Sequence, residues 1–190
     1  MSVSWGSAGT ILYSNSRTSL ASVPANGGAP VRVLDRTENA DGPAFLPDGR
    51  HYLIAIHSAN PAQAGTFVGT LDGTARIRLV AFPTYAQYAD GHLLFVRDTA
   101  LYAQPFDLPR LQLRGAATQL AENVSSFTVS SHGEIAYLAT NSTGTANGAE
   151  LLWMDRSGRV RERIDQAAGA TRPALSPDDR RISMMLRSDV

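Results

Sequence analysis

Hydrophobic and polar positions recur along this chain in a fixed order. An apolar step leads into a turn built from Pro, Asp, Gly or Ser, and a run of large or β-branched residues follows. The phrase reads FLPDGRHYLIAI at 45–56, YADGHLLFVR at 88–97, VSSHGEIAYL at 129–138 and LSPDDRRISMML at 175–186, with a degenerate copy, WGSAGTILYS, at 5–14. The turn positions Gly9, Gly49, Gly91, Gly133 and Asp179 stand 40, 42, 42 and 46 residues apart. Within one copy, 41–80, the pattern predicts four strands. Gly42 to Leu46 is a short inner strand, and Leu46-Pro47-Asp48-Gly49 suits a type I turn in which proline presets φ at the second position. His51 to His57 is almost continuously apolar, as a strand covered on both faces should be. Thr66 to Leu71, an Asp72-Gly73 hairpin turn and Ala75 to Val80 complete the copy. In the last strand Arg76 and Arg78 are expected to face water, and Ile77 and Leu79 the neighbouring copy.

A fixed period in this range, with four strands per copy, is the signature of a β-propeller. The expected fold class is therefore all-β: a partial propeller of about four four-stranded antiparallel blades and the inner half of a fifth, forming one incomplete domain over 1–190. The blades fall near 1–34, 41–80, 85–121, 125–164 and 171–190. Third and fourth strands recur in SLASVPANGGAPVRVL (19–34), with Asn26-Gly27-Gly28 at the turn, and in LLWMDRSGRVRERI (151–164), with Arg156-Ser157-Gly158 there. The third copy, LYAQPFDLPRLQLRGAATQLA (101–121), departs from the plan. Its Pro105 and Pro109 exclude central-strand positions and predict a loop or edge excursion. Common propellers close with about four to eight blades, so the chain reads as a piece of a larger propeller of six or seven. The remaining blades of the parent chain are then an expected partner, and bare end blades should make the isolated segment prone to association.

Composition changes this picture mainly by exclusion. Apolar residues make up 43% of the chain, enough for a core, and 17 basic residues balance 17 acidic ones. No basic excess points to a nucleic-acid or anionic-membrane partner. The run RSGRVRER (156–163) fits a solvated outer strand. Cysteine is absent, which removes thiolate chemistry and Cys-based metal sites. Lysine is absent too, all 17 cations being arginine. A Walker A, Schiff-base or kinase phosphate-binding lysine is thereby excluded. No apolar run is long enough for a membrane-spanning helix, so no direct membrane insertion is expected. The first twenty residues do not read as a signal peptide.

Candidate chemistry is sparse. His51, His57, His92 and His132 have no metal-ligand spacing, and three of them lie at or beside the repeated turns, where bonding to the loop is the simpler role. Asp48, Asp90 and Asp178 are expected to cap turn amides. No G-x-S-x-G elbow is present. Asn123-Val124-Ser125 and Asn141-Ser142-Thr143 match the glycosylation sequon without further support. Trp5, Trp153, Tyr85, Tyr88 and Phe127 are candidates for a recognition surface or for core, with Trp153 expected to pack between blades. No catalytic residue, cofactor or metal is expected from these residues. The positions best placed to touch a protein, peptide or small ligand are those at the start of inner strands, near one mouth of the central channel: Asp41, Tyr85, Ser126 and Arg172.

The turn phrase, following strand and outer hairpin resemble the TolB-like, WD-like propeller repeat of bacteria; the GH and WD dipeptides of the eukaryotic WD repeat are missing. The stretches PAFLPDGRHYLI, GTFVGTLDGTARIRLV, LLFVRDTALYAQPFD, LQLRGAATQLAENV, LLWMDRSGRV and RPALSPDDRR look like the propeller region carboxy-terminal to the kinase domain and membrane helix in some bacterial serine/threonine protein kinases, notably of acidobacterial type. That resemblance implies a non-enzymatic, extracytoplasmic sensing or scaffolding segment of a larger signalling protein, with catalysis in an amino-terminal domain. The kinase motifs HRD and DFG are not in this chain. A second expectation, from another class, is the gating propeller of a prolyl-oligopeptidase-like serine peptidase. A third is a propeller lyase or hydrolase using histidine and acidic residues, which would require metal.

Overall fold

A computed structural model of the chain describes residues 2–15, 19–34, 39–130, 132–140, 149–155, 157–164, 170–175 and 181–186. The repeated turn forms as its residues dictate. Gly49 N–H bonds the Leu46 carbonyl at 3.1 Å, and Gly49 takes φ +65°, a conformation open to glycine at little cost. Gly133 closes the corresponding turn on Ser130 at 3.1 Å. Each turn returns the chain antiparallel to the strand before it.

Nineteen strands result among the described residues, and no helix. The first blade holds β1 (Ser2–Trp5), β2 (Thr10–Asn15), β3 (Ser19–Pro24) and β4 (Val31–Leu34), hydrogen-bonded in chain order. The second holds β5 (Asn39–Phe45), β6 (His51–His57), β7 (Gly65–Thr70) and β8 (Arg76–Val80). The third is built from β9 (Ala86–Ala89), β10 (His92–Arg97) and β11 (Ala100–Asp107), with two short outer strands, β12 (Gln112–Leu113) and β13 (Thr118–Ala121), both on β11. The fourth holds β14 (Val124–Val129), β15 (Ile135–Thr140), β16 (Ala149–Met154) and β17 (Val160–Ile164). The inner pair of a fifth follows, β18 (Ala170–Leu175) and β19 (Ile182–Leu186). The architecture is that of a partial β-propeller, with strands paired inside each copy of the repeat.

The chain packs into two compact units, Met1–Gln87 with Phe106–Arg114, and Tyr88–Pro105 with Gly115–Val190. In the first, β5 packs against β1 and β2, and Leu12, Leu20, Tyr52, Ile54 and Phe67 share one core. In the second, Leu94, Leu101, Phe127, Ile135 and Leu152 form one cluster, and Ala136, Leu138, Leu151 and Ala170 another between the fourth and fifth blades. The second strands are the most deeply covered. Tyr52 through Ile56 are all buried, and burying each large apolar side chain there stabilises by about 1.5–3 kcal/mol. A glycine allows the tightest of this packing: a Cβ on Gly69 would stand 2.8 Å from the Tyr52 hydroxyl.

Two expectations about outer strands need correction. Ile77 is not covered as the alternation predicts; it is 43% exposed. The β7–β8 ladder shifts register between Thr66 and Phe67, so β8 turns inward only at its end, where Val80 is buried. Arg76 meanwhile lies 5.2 Å from the centroid of the Phe67 ring, and its guanidinium covers the aromatic that an alternating pattern would assign to an apolar partner. The second correction concerns Pro105, which lies inside β11, opposite His92. It is accommodated there because β13 pairs only with Leu101–Ala103 and β12 only with Phe106 and Asp107. No outer strand asks Pro105 for an N–H. Pro109 does sit in the connection, where Leu111 N–H bonds the Leu108 carbonyl at 3.3 Å.

Candidate functional site

Three of the four ligand candidates, Asp41, Ser126 and Arg172, lie in inner strands, and each of those strands breaks register beside its candidate, whereas Tyr85 immediately precedes β9. In β5 the register against β6 breaks between Asp41 and Ala44. In β14 it breaks between Val124 and Ser126, and in β18 between Thr171 and Ala174. A bulge adds a residue to one strand, bends it locally and re-aims a side chain. Arg172 thus lies inside its break, and Asp41 and Ser126 are the paired residues that border theirs.

In the first unit the bulge is made by Gly42, buried and at φ +64°. A Cβ there would stand 2.8 Å from Tyr85 Cδ2, so glycine is needed both for the left-handed backbone and for the ring that lies over it. The structure therefore lays the Tyr85 ring over Gly42, the residue that follows Asp41 in the chain. Tyr85 leaves 38% of its surface exposed, but it does so amid dense protein surroundings, and desolvation pushes its phenol up to about 12 against the lowering effect of Gln87. Gln87 Nε2 donates to the Tyr85 hydroxyl at 2.5 Å. At neutral pH this phenol is a neutral hydrogen-bonding group on an apolar ring.

The connection that delivers Tyr85 is pinned by a residue that sequence reasoning passed over. Thr66, fully buried in β7, offers its single hydroxyl proton to the carbonyls of Phe82 and Thr84, at 3.0 and 3.1 Å. The same oxygen accepts the Thr84 N–H at 3.0 Å. A threonine in a strand is unremarkable by composition, so only the fold reveals this clasp. Gln87 was missed for the same reason.

In the second unit β14 packs beside β18, so Ser126 and Arg172 stand on adjacent inner strands. Ser125, the extra residue of the β14 bulge, donates its hydroxyl to the Leu138 carbonyl at 3.1 Å and so occupies the gap left in the ladder. Ser126 is half-buried beside it. Arg172 is exposed and takes φ +53°, a left-handed backbone that is unusual for a long side chain and holds local strain. Its position in the repeat corresponds to that of Gly42.

The turn residues behave structurally where they are described. Asp48 accepts the amides of Arg50 and His51 at 2.9 Å each, and its second oxygen meets His51 Nδ1 at 2.5 Å. Desolvation raises this carboxyl, but the two amides and the imidazole outweigh it and the net shift is downward. Asp90 takes φ +43°, and its carbonyl meets His92 Nδ1 at 2.8 Å. In the fourth blade His132 stands at the position of Asp48, and the capping passes to Ser130, at the position of Leu46, whose hydroxyl accepts the amides of His132 and Glu134. Asp178 and the sequon at 141–143 lie outside the described residues. Of the aromatics, Phe127 is core at 2% exposure, Trp153 is half-buried with its indole N–H on Glu134 at 3.1 Å, and Trp5 is 67% exposed. Along β17 all but Ile164 are exposed, and Arg163 pairs with Glu150 at 3.1 Å.

No family model matches the chain. No curated protein matches it either. Solved structures do resemble it. TolB from Acinetobacter baumannii superposes with a TM-score of 0.78 at 18% identity, over 100% of this chain and 49% of that one. A TolB-type protein from Agrobacterium tumefaciens gives 0.73 at 16% identity, over 96% of this chain and 68% of that one. Hydrazine synthase of Kuenenia stuttgartiensis gives 0.65 at 16% identity, over 96% and 54%. The chain thus spans about half the length of the first of these. Identities this low speak to architecture alone, and the architecture they share with the five sheets described above is the TolB-like β-propeller.

Proposed function

We propose that this chain is a non-enzymatic binding or scaffolding segment of a larger bacterial signalling protein, and that it engages a protein, peptide or small ligand through the bulged starts of its inner strands. The observation that carries this reading is the coincidence of Asp41, Ser126 and Arg172 with the register breaks of β5, β14 and β18. Bulges cluster where a strand must present a side chain instead of extending a ladder. Asp41 and Tyr85 supply a carboxylate, a neutral phenol and an exposed aromatic surface in one unit; Ser126 and Arg172 supply a hydroxyl and a guanidinium in the other. Tyrosine and arginine are among the residues that most often carry the binding energy of protein interfaces. The kinase-linked origin rests on the sequence resemblance, and with it an extracytoplasmic placement.

Panning the 190-residue chain against a phage-displayed peptide library tests the binding role. Enriched peptides should lose at least about tenfold in affinity with Asp41→Ala or Tyr85→Ala. Enrichment that survives both substitutions together with Arg172→Ala refutes the assignment of the site. The parentage is tested by the coding sequence on either side: kinase motifs and a membrane helix upstream support it, and a G-x-S-x-G motif downstream replaces it with the peptidase reading.

A further inference from the structure

A cavity of about 320 Å³ opens in the second unit between the facing sheets of the third and fourth blades. That volume suits a small molecule. Its origin is the irregular outer part of the third blade. β13 follows β11 only along Leu101–Ala103, and the chain leaves the ladder at Gly115, at φ +57°, where Gln104 Nε2 donates to the Gly115 carbonyl at 2.9 Å. In the second blade, by contrast, the outer strand follows the third as far as Gly69 and Arg76. Where β13 falls short, the space beside Pro105 stays open.

The walls are apolar: Leu94 and Leu120 from the third blade, Val129 and Ile135 from the fourth, continuous with the core between those blades. Apart from the Thr118 hydroxyl, which can donate or accept, the polar lining is rich in acceptors. His92 Nδ1 lies 2.8 Å from the Asp90 carbonyl. A carbonyl oxygen only accepts, so the neutral ring carries its proton on Nδ1 and Nε2 is left as an acceptor. Ser157 gives its one hydroxyl proton to Asp155 Oδ1 at 2.5 Å, which leaves lone pairs on that oxygen. Asp90 is also a lining residue, and no arginine stands among the described residues of the lining. An apolar interior bordered by acceptors and negative charge favours a compact apolar body that carries a donor, and it disfavours an anion.

We propose that this interblade cavity binds a compact arylalkyl amine, its ring between Leu94 and Ile135 and its ammonium at the border formed by His92, Asp90 and Ser157. The lining includes none of Asp41, Tyr85, Ser126 or Arg172, so the site is independent of the inner-strand surface. Calorimetric titration of the 190-residue chain with tryptamine, and with indole-3-propionate as the anionic counterpart, tests it. Tryptamine should bind saturably with Kd below about 1 mM, and the acid at least about tenfold more weakly. Ala116→Trp, which enlarges an exposed lining residue, should weaken tryptamine at least about tenfold, and His92→Leu about three- to tenfold. Absence of saturable binding up to about 5 mM tryptamine, equal binding of amine and acid, or binding indifferent to Ala116→Trp overturns the proposal. Should Ala116→Trp alter the far-UV spectrum, methyl shifts of Leu94 and Ile135 on tryptamine addition read the wild-type site directly, and unmoved methyls overturn it as well.

Discussion

Thr66 shows how much of this molecule rests on single polar atoms in buried places. Its hydroxyl holds both carbonyls and one amide of the segment that leads to Tyr85, and it does so with no exposure to water. Replacing it by the isosteric Thr66→Val leaves those backbone groups without their partner, a loss of about 1–3 kcal/mol for buried groups. The denaturation midpoint should fall accordingly, and the Thr84 amide should exchange about tenfold faster or more, whereas Thr66→Ser keeps the hydroxyl and should stay close to wild type. A Thr66→Val protein with wild-type exchange at Thr84 would mean that the segment is held by something else. The same economy explains why Gly42 cannot be varied: the ring of Tyr85 fills the space any side chain would need.

Among elements, the outer hairpins repeat a motif of their own. Asp155 accepts the Ser157 hydroxyl and the amides of Ser157 and Arg159, and Asp72 accepts from Thr70 and Thr74. The bond from Ser157 is the chief cause of the lowering of Asp155 to about 2 from 3.8, and the bond from Thr70 does the same for Asp72, to about 2. A carboxyl lowered by folding stabilises the native state above its unfolded pKa, and that contribution disappears as pH falls through the folded value. Thermal melts should therefore drop between about pH 4 and pH 2, and Asp155→Asn should flatten part of that decline; an unchanged acid limb in the variant would dissociate the turn from acid stability. The hairpins were legible in the sequence because Asp-Gly and Ser-Gly pairs have few other uses, and the buried second strands because HYLIAIH has no polar face to expose. Bulges were not legible. They depend on which residue of one strand meets which of the next, and nothing in Asp41-Gly42 or Thr171-Arg172 fixes that pairing locally. Pro105 misled for a related reason: whether proline is tolerated depends on a neighbour that here is absent.

For the molecule as a whole, the repeat period alone established the propeller, since each copy is a sheet too small to hide its own apolar faces. The candidate site was legible only as a location, the starts of inner strands; its geometry, with Gly42 beneath Tyr85 and Thr66 behind it, came from packing between residues far apart in the chain. The first blade still shows apolar surface: Val3 and Trp5, on one face of β1 with cross-strand partners Tyr13 and Ile11, are 54% and 67% exposed. Sedimentation velocity at rising concentration should reveal self-association of the 190-residue chain, reduced in a Val3→Thr, Trp5→Ser variant; monomeric behaviour of the wild type across that range would show the face to be harmless. The bulged inner strands have a consequence of another sort. Asp41, Ser126 and Arg172 stand at or beside breaks in register, where fewer cross-strand neighbours constrain a side chain, so their identities can change with little disturbance to the sheets while Gly42 stays fixed under Tyr85. A repeat array built in this way can drift toward a new target one position at a time, each blade contributing its own letter while the scaffold keeps its spelling.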